Sequence, residues 1–130
     1  MLSKLKAEGF KLTAQRVDII HALANDLCHP TAQELYERLK GNHRSISFAT
    51  VYNTLSALEK VGGCAALSLT PGATRFDPNM QPHHHMVCDI CGSTADVPRA
   101  KDEDVEPMPT GFEVRAVEKI YRGVCAPCRS

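Results

Sequence analysis

The stretch His83-His84-His85-Met86-Val87-Cys88-Asp89-Ile90-Cys91-Gly92 places three imidazoles and two thiols within nine positions of a 130-residue chain. A histidine triplet puts at least one ring on each face of any strand or helix, which makes the stretch a poor element of a hydrophobic core. Imidazole and thiolate groups are instead ligands that zinc and other transition metals prefer. The stretch therefore indicates metal binding and decides how the C-terminal half of the chain is organised.

Four of the cysteines form two C-x-x-C pairs, Cys88/Cys91 and Cys125/Cys128. They lie on either side of a region that ends in a long run predicted to be a strand, residues 112–121. Each pair makes a tight turn that points two sulfurs at one ion, so the two pairs together provide the four thiolates of a tetrahedral structural zinc site. A redox-active C-x-x-C is the alternative, but a redox motif of the thioredoxin type opens a helix and needs only one pair. Structural zinc is the interpretation that uses both pairs.

The sequence has no feature of a membrane or secreted protein. No run approaches the ~20 apolar residues of a membrane span, and the first residues lack the apolar segment and cleavage site of a signal peptide. We therefore expect a cytoplasmic protein without membrane association. In the reducing cytosol, paired thiols bind metal more often than they form disulfides. The length allows one ordinary domain or two small ones.

Three helical patterns occupy most of the N-terminal half. Thr13, Thr31 and Ser47 precede these patterns as N-terminal residues, and Thr31 with Glu34 fits a capping box. The apolar positions at helical spacing are Val17, Ile20 and Ala24 in the first pattern, Leu35 and Leu39 in the second, and Val51, Leu55 and Leu58 in the third. We predict that these residues form the core faces of three helices.

A hairpin pattern follows the helices, with strand-like residues 65–70 and 73–76 on either side of Pro71-Gly72. Three helices and a hairpin are the order of a winged helix-turn-helix, whose third helix enters the DNA major groove. The exposed side of that helix carries hydrogen-bonding groups able to reach phosphates or base edges: Thr50, Tyr52, Asn53 and Ser56. A three-helix scaffold with a solvated polar face is the alternative, because this helix has no arginine.

The charge distribution supports nucleic-acid binding only weakly. Residues 1–78 carry 9 Lys and Arg against 7 Asp and Glu, whereas residues 79–130 carry 6 against 8. The small excess of positive charge in residues 1–78 therefore does not decide between DNA binding and a three-helix scaffold with a solvated polar face.

The histidines remain for a second metal once the thiols are assigned to zinc. On a strand, His83 and His85 project to one face and His84 to the other. Carboxylates lie nearby in the sequence at Asp77 and Asp96, and a lone histidine, His29, lies between the first two helical patterns. Imidazole with carboxylate suits Fe(II), Mn(II) or Zn(II). Taken singly, His29, Asp77 and Asp96 also fit ordinary turn or strand-end roles.

Six segments together resemble the ferric uptake regulator (Fur) family over nearly the whole chain. They are Gly9-Phe-Lys-Leu-Thr-Ala-Gln-Arg16, His29-Pro-Thr-Ala32, Ala49-Thr-Val-Tyr-Asn53, Arg75-Phe-Asp77, the stretch from His83 to Gly92, and the terminal Cys125/Cys128 pair. The resemblance implies an α+β fold with an N-terminal winged helix-turn-helix DNA-binding domain (1–78) and a small C-terminal α/β metal-binding dimerisation domain (83–130). It also implies a homodimeric, metal-dependent transcriptional repressor, not an enzyme, that binds a palindromic operator in double-stranded DNA.

The resemblance also assigns the individual site residues. The four cysteines, Cys88, Cys91, Cys125 and Cys128, hold structural Zn²⁺. A regulatory Fe²⁺ or Mn²⁺ takes its ligands from both domains: His29, Asp77, His83, His85 and Asp96. For DNA, the resemblance implies Lys11 near the minor groove, Arg16 and Ser47 at phosphates, and Thr50, Tyr52 and Asn53 in the major groove.

Asp96 favours the peroxide-sensing repressors of the family, in which this position is usually aspartate, over the iron-uptake regulators, in which it is usually glutamate. In the peroxide sensors, Fe(II) reacts with hydrogen peroxide and oxygen is added to a ligating histidine; His29 and His83 match the modified positions. An iron- or manganese-responsive repressor of the same family without peroxide sensing is the alternative, and Asp96 is the one sequence feature that separates the two.

Two departures from the family pattern are present. The segment 97–110 is shorter than in relatives and is interrupted by Pro98, Pro107 and Pro109, so we expect at most one or two helical turns there. No histidine follows His85, so we expect the accessory third metal site of some relatives to be missing.

Two function classes outside transcription are alternatives to a repressor. Zinc-dependent nucleobase deaminases need H-x-E and P-C-x-x-C, but no histidine here is followed two places on by glutamate, and Val124 precedes Cys125. A purely structural zinc-bound interaction module is the other class, and failure to bind any duplex in the presence of Fe(II) or Mn(II) would identify it.

Overall fold

Four helices and a hairpin form the first part of the chain. A computed structural model describes residues 1–100 and 106–130, which divide into Met1–Met80 (unit 1) and Gln81–Ser130 (unit 2). The elements of unit 1 are α1 (Leu2–Ala7), α2 (Ala14–Ala24), α3 (Ala32–Leu39), α4 (Phe48–Lys60), β1 (Ala65–Thr70) and β2 (Ala73–Asp77). Helix α1 is an addition to the three helices predicted from the sequence.

The predicted N-terminal residues of the three helices are confirmed as caps. Each side-chain oxygen accepts a hydrogen bond from the backbone N–H three residues later: Thr13 from Arg16 (3.2 Å), Thr31 from Glu34 (3.1 Å) and Ser47 from Thr50 (3.1 Å). Such a bond gives an acceptor to one of the backbone N–H groups that have no intrahelical partner at a helix start, and it stabilises the helix by about 1 kcal/mol. The starts of α2, α3 and α4 are therefore set by local sequence.

The core of unit 1 confirms the predicted faces of α3 and α4 and corrects that of α2. Residues Leu35, Leu39, Val51, Leu55 and Leu58 are all buried. In α2 the buried residues are Ile19, Ile20 and Leu23, whereas Val17 is half-buried and Ala24 is exposed. The prediction for α2 is confirmed at Ile20 and was wrong at Val17 and Ala24, because the larger Ile19 and Leu23 side chains bury more apolar surface than those two residues.

The predicted hairpin is confirmed, with β1 and β2 antiparallel and Ala65 opposite Asp77. Gly72 has φ +75°, a conformation that the turn requires and that glycine adopts without steric cost. Strand β2 also binds the loop between α2 and α3, because the Phe76 N–H donates to the Pro30 carbonyl at 3.0 Å. Phe76 is buried in the helical core, so β2 is fixed beside the loop that contains His29.

Unit 2 contains a three-stranded sheet with β3 (His83–Cys88) in the centre. Strand β4 (Thr94–Pro98) pairs antiparallel with β3, and β5 (Ile120–Gly123) pairs parallel with it. The remaining described elements are a 3₁₀ turn at Pro109–Gly111 and α5 (Ala126–Arg129). The helices of unit 1 and the two sheets give the α+β class expected from the sequence.

The strand predicted over residues 112–121 was wrong in its extent. Only Ile120 and Tyr121 of that run belong to β5, which continues to Gly123. Ladder pairing with β3 begins at Ile120, opposite His85, and residues 112–119 belong to no strand. Strand-forming composition cannot supply the missing ladder partners.

The predicted interruption of segment 97–110 falls partly on residues 101–105, which lie outside the described residues. On either side of them, β4 ends at Pro98 and a single 3₁₀ turn begins at Pro109. In the part of the chain that the structure describes, no helix has the length and apolar character needed to cross a membrane.

Candidate metal centres

The two C-x-x-C pairs meet at one end of the sheet in unit 2. Cys88 ends β3 opposite Gly123 of β5, so the turn after each strand starts from neighbouring positions. The four Sγ atoms of Cys88, Cys91, Cys125 and Cys128 all lie within 4.8 Å of one another. The Sγ atoms of Cys91 and Cys125 are 3.7 Å apart. Zn–S bonds of ~2.3 Å in a tetrahedron place two sulfurs ~3.8 Å apart, so the sulfur cluster fits a zinc ion.

Hydrogen bonds favour the thiolate form of Cys88 and Cys91 and disfavour that of Cys128. The Cys125 N–H donates to Cys88 Sγ at 3.4 Å, and this and other backbone N–H groups lower the pKa of Cys88 to about 6. The Ser93 hydroxyl lies 3.1 Å from Cys91 Sγ and lowers the pKa of that thiol. The hydrogen bond between Cys128 and Cys125, together with burial, raises the pKa of Cys128 to about 12. A divalent cation supplies the charge that lets all four sulfurs ionise.

The second cluster of unit 2 lies on one face of strands β3 and β4. The Nε2 atoms of His83 and His85 are 3.0 Å apart, as the predicted alternation along a strand requires. Asp96 is directly opposite His85 in the ladder, and its Oδ1 lies 3.1 Å from His83 Nε2 and 3.6 Å from His85 Nε2. Ligands ~2.1 Å from one ion at 90–120° are ~3.0–3.6 Å apart, so this triad fits three positions around a metal.

The other ring nitrogen of His83 also has a defined contact. His83 Nδ1 lies 2.6 Å from the carbonyl oxygen of Gln81, so Nδ1 is the protonated nitrogen that donates to it. This arrangement leaves the lone pair on Nε2, which faces His85 and Asp96. His83 is thus oriented as a metal ligand through Nε2.

In unit 1, His29 and Asp77 form a buried pair. His29 Nε2 lies 3.4 Å from Asp77 Oδ2, and both residues are about 1% exposed. His29 has φ +55°, a left-handed conformation that is uncommon for a residue with a side chain and costs about 1–3 kcal/mol. Arg75 Nη1 donates to the His29 carbonyl at 3.1 Å and stabilises this conformation. Strained backbone of this kind clusters at functional sites, so the pair is a second candidate for ligand positions.

Four of the six predicted DNA-contacting residues lie on α4 or cap it. Tyr52 and Asn53 are exposed, and Thr50 is half-buried. The Ser47 hydroxyl caps α4 and lies 3.0 Å from the Thr50 hydroxyl, so both groups are at the start of the helix. Such a helix start also offers backbone N–H groups to a phosphate.

Upstream of α4, the two predicted basic residues contact each other. Arg16 Nη1 donates to the Lys11 carbonyl at 2.5 Å, which ties the segment before α2 to that helix. The Lys11 residue is exposed.

Two residues near these sites were missed in the sequence. Arg75 was part of a quoted motif, but its bond to His29 joins residues 46 positions apart and has no local signal. Phe48, at the start of α4, is 43% exposed and its ring centroid lies 6.2 Å from that of Tyr52. Its position directly after the Ser47 cap was the available signal.

Comparison with known proteins gives a consistent family. The sequence model described as the ferric uptake regulator family matches residues 7–121. The chain is 35% identical to the peroxide operon regulator of Bacillus subtilis (strain 168), covering 98% of this chain and 90% of that protein.

Solved structures agree with this match. One is the structure of PerR from Streptococcus pyogenes, described as the structural basis for peroxide sensing and gene regulation. It is 29% identical, with a TM-score of 0.57 over 98% of this chain and 89% of that chain. The Helicobacter pylori ferric uptake regulator Fur has a TM-score of 0.75 at 18% identity, over 98% of this chain and 88% of that one, and shows a shared fold. Together with the matched sequence model, these likenesses show that the chain belongs to the ferric uptake regulator family.

Proposed function

We propose that the protein is a metal-dependent DNA-binding transcriptional repressor that senses hydrogen peroxide through Fe(II)-catalysed oxidation of ligand histidines. The observation that carries this proposal is the triad of His83, His85 and Asp96, whose facing atoms are 3.0–3.6 Å apart. A Bacillus subtilis relative that is 35% identical and is named a peroxide operon regulator supports the peroxide part of the proposal.

The four cysteines of unit 2 bind a structural Zn²⁺. Their sulfur separations suit a tetrahedral ion, and a zinc site of this kind contributes directly to folding. Its role is to hold the ends of β3 and β5 together beside the second cluster.

A regulatory Fe²⁺ or Mn²⁺ takes its ligands from both units: His29 and Asp77 from unit 1, and His83, His85 and Asp96 from unit 2. Ligand type supports this assignment, because each set combines imidazole with carboxylate, and together they supply five mixed nitrogen and oxygen ligands of the kind that Fe(II) and Mn(II) take. Only residues 78–82 separate Asp77 from His83 in the chain. One ion bound in this way fixes the DNA-binding unit relative to the dimerisation unit.

The chemistry that Fe(II) supplies there is reduction of hydrogen peroxide, with one oxygen atom added to an imidazole ring and the other released as water. His29 and His83 are the rings that match the modified positions. An oxidised ring is a poorer ligand, so the site loses its ion and the two units lose their fixed relation. The population then shifts to conformations that bind DNA weakly, and the operator is released.

DNA recognition belongs to α4, with Thr50, Tyr52 and Asn53 directed to base edges and Lys11, Arg16 and Ser47 to the backbone. The ferric uptake regulator family consists of dimeric DNA-binding repressors. Two copies of α4 related by a two-fold axis read two half-sites ~34–36 Å apart, which makes the operator palindromic. A repressor with this task works in the cytoplasm.

Metal-dependent DNA binding tests the proposal. The zinc-loaded full-length chain is used to select duplexes from a random pool in the presence of Mn(II), and affinity for the selected duplex is measured by fluorescence anisotropy with and without Mn(II). We expect at least about tenfold tighter binding with Mn(II), a coupling that is ordinary for an effector. His29→Ala should abolish the dependence while the zinc content stays unchanged. Affinity that is the same with and without Mn(II) in the wild-type protein would contradict the proposal.

A further inference from the structure

The middle residue of the histidine triplet has no place in either proposed metal site. His84 is about 1% exposed, and its Nδ1 accepts a hydrogen bond from the Lys119 N–H at 3.0 Å. The next residue of β3, His85, donates its backbone N–H to the Lys119 carbonyl at 3.1 Å. Two consecutive residues of β3 therefore fix the peptide groups on both sides of Lys119.

Glu118, the residue before Lys119, contacts His85. The Glu118 Oε1 lies 3.2 Å from His85 Nδ1, the ring nitrogen opposite the one that faces His83 and Asp96. His85 thus has a carboxylate oxygen near each nitrogen, Asp96 at Nε2 and Glu118 at Nδ1. No motif in the sequence relates Glu118 to His85, because the contact depends on the parallel pairing of β3 with β5.

The chemistry of histidine ligands gives this contact a function. A metal-bound imidazole usually donates its other N–H to an oxygen acceptor, which fixes the tautomer and the ring orientation and makes the ligating nitrogen more basic. His83 has such an acceptor in the Gln81 carbonyl, 2.6 Å from its Nδ1. We propose that Glu118 is the corresponding positioning residue for His85 and that His84 sets the position of Glu118 through Lys119. This inference rests on the proposed regulatory metal site.

The competing interpretation is that the contact between Glu118 and His85 has no effect on metal binding. The Glu118 side chain is 58% exposed, and exposed ion pairs contribute little. Glu113 provides a matched control. It lies in the same segment, its side chain is 78% exposed, and its Oε2 lies 3.8 Å from Nη2 of the exposed Arg115. A general effect of removing negative charge from this surface should be equal at the two positions.

The test is a titration of the zinc-loaded full-length protein with Mn(II), followed by the electron paramagnetic resonance signal of free Mn(II). We expect Glu118→Ala to weaken Mn(II) affinity about 10–100-fold, as loss of such acceptors does elsewhere. Glu118→Gln should lose less, because its amide oxygen keeps an acceptor at the position of Glu118 Oε1, 3.2 Å from His85 Nδ1. Glu113→Ala should match the wild type, and the zinc content should be unchanged in all three variants.

The role of His84 is tested by a pair of substitutions in the same titration. Asparagine places a side-chain acceptor near the position of Nδ1, whereas leucine fills similar space without an acceptor. We expect His84→Asn to stay near wild-type affinity and His84→Leu to approach Glu118→Ala. The double variant His84→Leu/Glu118→Ala should be no weaker than Glu118→Ala alone, because both changes remove the same interaction.

The outcomes separate the inference from the proposed function. Wild-type affinity in Glu118→Ala would overturn the inference, and so would an equal loss in Glu113→Ala. A wild-type protein that binds no Mn(II) in addition to its zinc would instead contradict the proposed regulatory site. If His84→Leu does not fold, Glu118→Ala decides alone, since its altered side chain is largely exposed.

Discussion

Replacing Cys88 with serine should unfold unit 2 while leaving unit 1 intact. Among the described residues, the buried hydrophobic side chains of unit 2 are only Val87 and Cys88, whereas all the others belong to unit 1. Full burial of a valine contributes about 1.5–3 kcal/mol. A structural zinc site contributes about 10–16 kcal/mol, which is as large as the whole stability of a typical domain. The sheet of unit 2 therefore depends on the ion, and serine cannot replace a thiolate ligand.

The assay combines metal analysis with measurements of folding and assembly. We expect Cys88→Ser and Cys125→Ser to purify with less than one zinc per chain, to lose the dimer in size-exclusion chromatography, and to be cleaved by protease throughout unit 2. Circular dichroism should retain the helical signal, because the core of unit 1 contains no zinc ligand. Cys28→Ser is the control, since this exposed thiol lies outside the sulfur cluster and its loss should change none of these measurements. A Cys88→Ser protein that is dimeric, protease-resistant and free of zinc would refute the reasoning.

Three further predictions concern packing, thiol chemistry and DNA binding. Gly63→Ala should lower the free energy of unfolding by about 1–3 kcal/mol, because its new Cβ would lie 2.4 Å from Leu58 Cδ1. The Cβ of Gly41→Ala would meet no atom within 4 Å, so this control should not lower the free energy of unfolding. Thermal denaturation of the two variants compares these effects. Burial raises the pKa of Cys64 to about 12, so this side chain stays a protonated thiol at pH 8. Iodoacetamide should therefore alkylate the exposed Cys28 but not Cys64 in the native protein, and peptide mass mapping measures both reactions. Operator affinity should fall about 0.9 log units per phosphate contact for each tenfold rise in salt, measured by anisotropy, and a flat dependence would exclude the proposed backbone contacts.

Local signals in the sequence were sufficient for much of the fold. The caps Thr13, Thr31 and Ser47 act within three residues of themselves, and the hairpin depends on Pro71-Gly72 and a period of two. The convergence of the two C-x-x-C pairs was predictable for the same reason, since each turn is local and four thiolates need one ion.

The parts that were not predicted depend on distant contacts or on competition between similar residues. The six-residue helix α1 has no side-chain cap and is held by Leu5, which is buried in the core of unit 1. The face of α2 depended on whether Val17 or Ile19 would be buried, and hydrophobic spacing alone does not rank them. The start of β5 at Ile120 depended on its pairing register with β3, in which Ile120 lies opposite His85.

The candidate sites show the same division. The facing of His83 and His85 follows from strand alternation, but the place of Asp96 required the register in which it lies opposite His85. The contact of Arg75 with the His29 carbonyl depends on β2 meeting a loop 46 residues earlier. Tertiary pairing of this kind leaves no trace in local composition.

The central claim is tested most directly by mass spectrometry of the protein after brief exposure to hydrogen peroxide, with the zinc-loaded chain carrying either Fe(II) or Mn(II). If ligand histidines are the sensor, the Fe(II) form will gain one oxygen on the peptides that contain His29 or His83, and the Mn(II) form will be largely unmodified. Oxidation confined to cysteines, or equal histidine oxidation with both metals, would contradict peroxide sensing and leave an iron- or manganese-responsive repressor.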